Sequence, residues 1–445
     1  MHSKINLGQL TSILNWLFIS FPLSFIAGNL LINLNLLLVV IFGSIFLIKK
    51  KVKINYDSLI LIFFFFCIGL IISSIFNQIN ISKAFLYLRF LIFYFVCFNL
   101  IKEKVFDLDK IFYFYAIVAA IICLDLIFQH FMGYNMIGLK IHKFGTIQKE
   151  VATSFFQHEK VAGSFIQNFG FYLAFIIFSK FNKNNFYSII LKSFLISLVS
   201  ISIFISFQRM PMIIWIFFLT IYGIIYYKSK LVPILLSFAI FALFINNFSS
   251  KATVESYESF YNNSKIILSR TFKSYNIMKD EKLWEEVKAD PNKAKYFERG
   301  SGHSSLFAQA FYIWGDSKIL GIGYKNFYNK TIEKKLTRET NHPHNYYLDV
   351  LVSTGLVGLI ILIIYLMILS SKAIYSLRIN IRKRNHKQFD VLIVAFINFL
   401  IIFFPLKSTG SFFTTSSSTY MMITLVILLS QLQTLNTKKK LFKYF

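Results

Sequence analysis

About twelve long apolar runs divide this chain of 445 residues. Each run has about 18 residues or more, which is enough for a helix to cross a hydrocarbon core of roughly 30 Å. Hydrophobic residues make up 56% of the chain and charged residues only 15%, a composition too apolar for a water-soluble fold. We therefore predict an all-α polytopic membrane protein with about 12 transmembrane helices. The predicted spans are residues 9–27, 30–48, 58–76, 84–101, 111–132, 162–179, 186–206, 210–227, 231–248, 345–370, 388–406 and 418–433.

The distribution of basic residues predicts the orientation of these helices. With a cytoplasmic N-terminus, the loops on the cytoplasmic side hold 22 Lys and Arg residues, against seven in the short outer loops. Basic residues concentrate on the cytoplasmic side of membrane proteins, so both termini are predicted to be cytoplasmic. The net charge of +27 is then mainly an orientation signal. Nucleic-acid binding is not expected, because the cations lie on both sides of the bilayer.

Three regions follow from this topology. Residues 1–248 form an N-terminal transmembrane bundle of about nine helices, and residues 249–344 form a long outer loop. Residues 345–445 form the C-terminal helices and a basic cytoplasmic tail. The outer loop is expected to carry short helices, because apolar residues recur at helical spacing after a possible N-cap at Ser301 or Ser304.

A polar cluster in "NHPHNYYLDVLVSTGLVGLI" runs directly into an apolar span. We expect His342 and His344 at or just inside a helix N-terminus, with Pro343 in the first turn. The helix dipole there disfavours imidazolium, so a histidine stays neutral and available as a base. Two alternatives remain open at this point, namely that these residues only cap and anchor the helix, or that the His-x-His pair binds a metal. No thiolate or carboxylate stands at ligand spacing, and all three cysteines lie inside apolar runs.

Two arginines on the outer side suit a diphosphate, because the planar guanidinium pairs bidentately with phosphate oxygens. Arg209, in "SFQRMP", lies at the outer end of a predicted helix. Arg89 lies about two turns inside a span, where a charged residue is costly and is a functional candidate by default. The alternatives are snorkelling for Arg89 and interfacial anchoring for Arg209. Asp125 pairs with a buried cation or with a neighbouring helix, and the sequence leaves both open.

Three motifs resemble those of the O-antigen ligase and O-antigen polymerase superfamily, which are bacterial lipid-linked-glycan transferases grouped with the GT-C fold class. "HPHNYYLDVLVSTGLVGL" is similar to the family's His-Asn-x-x-Leu element followed by Gly-x-x-Gly. "GHSSLFAQAFYIWGDSKILGIGYKNF" is similar to a loop helix that leads into a glycine-rich turn. "SFQRMPMIIWI" resembles the helix junction that precedes the long outer loop. The similarity covers roughly residues 150–410.

The resemblance implies roles for particular residues. His344 would activate the acceptor hydroxyl, and Arg209 would contact the pyrophosphate of the donor lipid. The family commonly has Ser-Gly-Arg where this chain has Ser-Gly-His, so either Arg299 or His303 would supply the group at that place. Ser353 stands where many relatives carry Glu. The residues predicted to bind substrate are Arg209, Arg89, Arg299, His303, Asn345, His342 and Glu159.

The predicted reaction transfers a glycan from undecaprenyl diphosphate to a sugar hydroxyl of lipid A-core, on the periplasmic face of the bacterial inner membrane. It would invert the anomeric centre and need neither a metal nor another cofactor, and the partners would be the lipid-linked donor, the acceptor and membrane lipids. One alternative is a polymerase of O-antigen or exopolysaccharide repeat units from the same superfamily. A polysaccharide flippase is an alternative of a different class, although the halves show no internal repeat and the long outer loop is unusual for alternating access.

Overall fold

Helices dominate the computed structural model of the chain. The structure describes residues 6–144, 149–157, 159–180, 185–225, 231–249, 251–290, 292–293, 297, 302–336, 339–380, 387–408 and 410–437. The N-terminal region contains the helices α1 (Leu7–Ile19), α2 (Phe21–Ala27), α3 (Asn29–Lys49), α4 (Ser58–Phe76), α5 (Ile81–Leu86), α6 (Leu88–Lys102), α7 (Leu108–Met132), α8 (Ala162–Lys180), α9 (Phe186–Ile205), α10 (Arg209–Ile225) and α11 (Leu231–Phe248).

The long segment that follows α11 carries short helices, as expected. These are α12 (Lys251–Lys265), α13 (Ile267–Lys279), α14 (Glu281–Ala289), α15 (Gly302–Trp314) and α16 (Phe327–Glu333). Because α15 begins at Gly302, Ser304 lies inside the helix and is not its N-cap, and Ser301 lies outside the described residues.

Three helices complete the chain, namely α17 (Tyr346–Asn380), α18 (Lys387–Ile402) and α19 (Thr415–Thr437). A short antiparallel hairpin of β1 (His142–Phe144) and β2 (Lys149–Val151) lies between α7 and α8.

The described helices confirm a multi-pass membrane protein. Eight are long and apolar enough to cross a membrane, and the α1–α2 pair makes nine if its 46° bend lies within one span. Shorter apolar helices occur at Ala162–Phe178, Arg209–Ile225 and Phe389–Ile402. Together these units coincide in position with the twelve predicted runs, while length and composition alone support eight or nine crossings.

The loop segment has its own small core, which is shared with α17. Met278 and Trp284 pack with Ala310 and Ile313 of α15, and Val352 of α17 belongs to the same cluster. The apolar face of α15 therefore packs against α13 and against α17. This packing holds the loop segment against the helix that begins just after the histidine motif.

Asp125 binds the connection between α7 and α8. Its carboxylate accepts hydrogen bonds from the Met136 backbone N–H at 2.8 Å and from the Ser154 hydroxyl at 2.5 Å. One turn later, the Gln129 side-chain oxygen accepts from the backbone N–H groups of Thr153 and Ser154 at 2.8 Å each. The described hydrogen bonds of Asp125 are thus to the α7–α8 connection, and they involve neither of the partners left open by the sequence, a buried cation or a neighbouring helix.

Candidate functional site

A glycine-rich turn between α15 and α16 docks into a kink of α17. The kink lies at Gly355, whose φ is 65°, and the turn has positive φ at Gly321 (72°) and Gly323 (93°). A Cβ on Gly321 would lie 2.5 Å from the Gly355 nitrogen, and one on Gly355 would lie 2.1 Å from the Ile319 oxygen, so only glycine fits at either place. Four backbone hydrogen bonds join the two segments, namely Ile322 N–H to Val352 O (2.9 Å), Gly323 N–H to Ser353 O (3.2 Å), Leu356 N–H to Lys318 O (2.9 Å) and Val357 N–H to Ile319 O (3.3 Å).

The end of α4 fixes the other side of this turn. Its polar side chains bind backbone groups of the turn and of the kink, namely Ser73 Oγ to Ser353 O (2.8 Å), Tyr324 N–H to Ser74 Oγ (3.0 Å), Asn77 Nδ2 to Gly321 O (2.9 Å) and Asn80 Nδ2 to Tyr324 O (2.9 Å). Ser353, which stands where relatives carry Glu, thus contributes its carbonyl group to the docked turn. Lys325, which follows Tyr324 in the turn, has a left-handed φ of 51°.

The structure brings three of the predicted histidines together. The ring centroids of His342 and His344 are 4.2 Å apart, and those of His303 and His344 are 5.8 Å apart. The His344 backbone N–H donates to Nδ1 of His342 at 3.2 Å, and His344 has a left-handed φ of 57°. Because α17 begins only at Tyr346, the expectation that Pro343 lies in the first helical turn is wrong. His342 and His344 therefore lie in the loop before α17, and His303 lies on α15.

Asn345 caps α17 and ties it to the α18–α19 connection. Its side-chain oxygen accepts from the N–H groups of Tyr347 at 3.0 Å and Leu348 at 3.1 Å, the pattern of an N-cap. Its Nδ2 donates to the carbonyl groups of Pro405 at 2.8 Å and Lys407 at 3.2 Å. The capping role considered for the histidines thus belongs to Asn345, and its predicted contact with substrate stays a prediction.

Asp349, which the sequence reasoning missed, holds the same connection from one turn further along α17. Its buried carboxylate accepts from the Ser411 hydroxyl at 2.5 Å and the Phe412 N–H at 2.9 Å. The Tyr347 hydroxyl donates to the Phe403 carbonyl at 2.7 Å. We call residues 403–413 the strap, because side chains of α17 bind it along its length. The sequence signal that points to Asp349 is an acidic residue within an apolar span.

A neutral histidine lies beside cationic side chains. We call Lys325, Arg89 and Lys83 the cationic edge. Burial, then the neighbouring His344 and Lys325, lower the pKa of His342 to about 4, so His342 is neutral near pH 7. Partial burial lowers the pKa of Lys325; the Asp349 carboxylate opposes this effect, and the cations Arg89 and Lys83 add to it. Lys325 therefore lies within electrostatic range of one carboxylate and of two other cations.

Arg89 lies in the first turn of α6, directly after the break at Tyr87. Its Nη1 donates to the Leu86 carbonyl at 3.2 Å, and its Nη2 lies 3.5 Å from the Thr415 hydroxyl. The guanidinium carbon is 4.5 Å from the centroid of the Phe90 ring. Arg89 therefore joins α6 to the start of α19 and is half-buried, unlike a freely snorkelling side chain.

Lys407, in the strap, is a second cation that the sequence reasoning used only for orientation. It is 7% exposed, and its Nζ lies 5.4 Å from the centroid of the Tyr346 ring. Burial lowers the pKa of Lys407 to about 8. Within the described residues no acidic side chain forms an ion pair with it, so its ammonium group rests beside an aromatic ring.

Arg209 lies in a different neighbourhood from the histidines. Its Nη1 donates to the Ser256 carbonyl at 3.2 Å, and its guanidinium carbon is 5.5 Å from the Phe260 ring centroid, so it contacts α12. The side chain of the preceding residue, Gln208, accepts from the Ser164 N–H at 2.5 Å at the start of α8. Exposed Glu159 lies three residues before α8, near this junction in the chain. Arg299 lies outside the described residues.

The histidines do not form a complete metal site with the described acids and cysteines. No group of three or more His, Cys, Asp or Glu in the described part of the chain is arranged to hold a metal ion. The carboxylate of Asp349, five residues after His344, is occupied by the Ser411 hydroxyl and the Phe412 N–H.

Comparison with known families identifies the same part of the chain. Residues 194–363 match the O-antigen ligase family, a stretch that contains Arg209, His303, His342 and His344. No curated protein sequence matches the chain. The match over residues 194–363 supports the resemblance to the O-antigen ligase and O-antigen polymerase superfamily that the motifs predicted.

Proposed function

We propose that the protein is an O-antigen ligase-like glycosyltransferase. It transfers a glycan from undecaprenyl diphosphate to a sugar hydroxyl of lipid A-core on the periplasmic face of the inner membrane. The observation that carries this proposal is the position of His344, whose ring is 4.2 Å from that of His342 and 5.8 Å from that of His303, while Lys325 lies within electrostatic range of His342. The family match supports a transferase over the flippase alternative.

The chemistry requires one base and a site for the leaving group. The acceptor hydroxyl attacks the anomeric carbon, its proton passes to the His344 imidazole, and the bond from that carbon to the diphosphate oxygen breaks. Attack opposite the leaving group inverts the anomeric centre. The diphosphate leaves as an anion, and the nearby cations stabilise its developing charge, so no metal ion is required.

A neutral His342 is compatible with the proposed role of His344 as the base. The pKa of His342 is lowered to about 4, so no imidazolium stands beside the base near pH 7. The hydrogen bond from the His344 N–H to Nδ1 of His342 needs an unprotonated acceptor and favours the same state. Arg209, Arg89, His303, Asn345 and Glu159, with Arg299, remain the proposed substrate-binding residues.

The decisive experiment replaces His344 in a strain that lacks the native gene. We expect His344→Ala and His344→Gln to abolish surface O-chain while lipid-linked glycan accumulates on the periplasmic face of the inner membrane. The matched control is His130→Ala, because His130 lies on α7 and packs against Phe131 and Phe244. Full glycan transfer by a well-expressed His344→Gln variant would remove His344 from the mechanism.

Mass spectrometry of lipopolysaccharide from the deletion strain separates the two activities of the superfamily. Loss of the whole O-chain identifies a ligase, and retention of one repeat unit identifies a polymerase. Activity of the purified protein after treatment with EDTA tests metal independence, and we expect no loss.

A further inference from the structure

Four large apolar side chains of the long loop segment face away from the protein. Leu268 and Phe272, one turn apart on α13, are 67% and 65% exposed. Tyr261, one turn before the end of α12, is 62% exposed, and Ile266, between the two helices, is 38% exposed. We call these four residues the apolar corner. Exposed apolar side chains that are grouped in this way indicate an interaction surface.

The buried face of α13 is more polar than its exposed stripe. Thr271, Ser274 and Met278 are the buried residues of this helix, and α13 packs against α15. Two of these three side chains are small and carry a hydroxyl, whereas Leu268 and Phe272 lie outside the small core of the loop segment. A helix with its outer surface in water has the opposite distribution. The exposed stripe therefore suits an apolar environment.

The helix before the apolar corner lies against the ends of membrane-spanning helices. The Tyr257 hydroxyl of α12 donates to the Phe204 carbonyl at the end of α9 at 3.2 Å, and the two rings stack with centroids 4.8 Å apart. Arg209, at the start of α10, donates to the Ser256 carbonyl and lies 5.5 Å from the ring centroid of Phe260. Because α9 is long and apolar enough to cross a membrane, α12 is held where the bundle leaves the bilayer. The apolar corner begins at the residue after Phe260.

Basic residues accompany the apolar corner. The Nζ of Lys265 lies 4.1 Å from the centroid of the Tyr261 ring, and α13 carries three basic residues and no acidic one. Residues 251–279 contain five basic and two acidic residues. Large exposed apolar side chains next to Lys and Arg are typical of helices that lie in the headgroup region of a bilayer. The excess of positive charge favours an anionic lipid surface.

We propose that the apolar corner inserts into the bilayer leaflet on the side of the loop segment. Leu268 and Phe272 lie among the acyl chains, and the neighbouring basic side chains contact the phosphates of anionic phospholipids. Since α13 packs against α15, which carries His303, this anchor sets the distance of the loop segment from the bilayer. The surface is independent of the proposed glycan transfer and uses none of the residues proposed to bind substrate.

Spin labels on the full-length protein test this insertion. Because all three natural cysteines are buried, a nitroxide reagent labels an introduced surface cysteine selectively. The variants are Leu268→Cys and Phe272→Cys, in nanodiscs of phosphatidylethanolamine and phosphatidylglycerol. The matched control is Lys273→Cys, an exposed position that lies about 100° from Phe272 around the same helix. Oxygen concentrates among acyl chains and a nickel chelate stays in water, so we expect the ratio of oxygen to nickel collisions to be roughly tenfold higher at 268 and 272 than at 273.

Three outcomes would overturn the proposal. Equal collision ratios at the three positions would exclude insertion. Protection of 268 and 272 from both oxygen and nickel would show contact with protein, either a second copy of the chain or a partner. In nanodiscs of phosphatidylcholine alone we expect lower ratios at 268 and 272, and an unchanged ratio would remove the preference for anionic lipid.

Photo-labelling of the unaltered chain provides a second readout that no folding defect of a variant affects. A phosphatidylglycerol with a diazirine in its acyl chain should label the segment 261–272 in addition to the membrane-spanning helices. Labelling of the spans without labelling of this segment would contradict the insertion, whether or not the protein transfers glycan.

Discussion

Replacing Gly355 by alanine tests whether the turn docked in the kink of α17 holds His344, the proposed base, in place. A backbone with φ of 65° and ψ of −163° is essentially restricted to glycine and costs an alanine about 1–3 kcal/mol in strain. Its Cβ would lie 2.1 Å from the Ile319 oxygen and 2.6 Å from the Gly321 nitrogen, so the turn has to move. Each of the four hydrogen bonds between turn and kink contributes about 1 kcal/mol. We expect a loss of about 3–5 kcal/mol, which weakens docking by roughly a hundredfold to several thousandfold.

Two other glycines separate steric conflict from backbone strain. Gly133 has a φ of 78° but no atom within 4 Å of an added Cβ, so Gly133→Ala carries only the strain. Gly69, in α4, has open space and no positive φ, so Gly69→Ala is expected to be neutral or slightly stabilising. Thermal unfolding of the purified protein is followed by tryptophan fluorescence, since Trp284 and Trp314 lie in the loop segment. If Gly355→Ala unfolds like Gly133→Ala and transfers glycan normally, the turn does not hold the site.

Three further predictions concern the strap and the histidines. Asn345→Ala should destabilise the protein by about 2–3 kcal/mol in thermal unfolding, because the N-cap and two tethers are lost, while Asn345→Asp should keep the cap and lose less. Asp349→Ala should cost about 1–3 kcal/mol by leaving the Phe412 N–H unpaired, and Ser411→Ala should cost less, so equal stabilities would contradict the strap contacts. The folded state lowers the pKa of His342 to about 4, so its contribution to stability is present above pH 6.5 and is lost as the pH falls towards 4. Urea unfolding of His342→Gln between these values should show a weaker pH dependence than the wild type.

Hydropathy was enough to predict the positions of the long helices. The predicted span 58–76 coincides with α4, which begins after Asp57, whose side chain accepts from the Leu59 N–H at 2.9 Å. A continuous apolar run and a local cap are both visible in sequence. The break between α5 and α6 at Tyr87 was missed, because no glycine or proline marks it and the apolar pattern continues across it.

The histidine motif was recognisable because its residues are close together in the chain. The groups that complete the site are far from one another in the chain, and only the fold brings them to their partners. Asp349 binds Ser411, which lies 62 residues away in the chain. Lys325 of the loop segment interacts electrostatically with Arg89 of α6. A single acid or lysine in an apolar environment indicates function, but it does not identify its partner.

Hydrogen bonds to the glycine-rich turn and to the strap explain why the candidate site depends on parts of the chain outside the matched family stretch. The turn before Lys325 is held by α4, and the strap after α18 is held by Asn345 and Asp349. Apart from the bond between the Ser411 hydroxyl and Asp349, these contacts use a backbone group of the turn or strap, so they fix the path of the chain whatever side chains it carries. Substitutions at the α4 donors should therefore displace Lys325 relative to His344 while leaving both residues intact. The loop before α17 can position a base only because these distant segments determine where it lies.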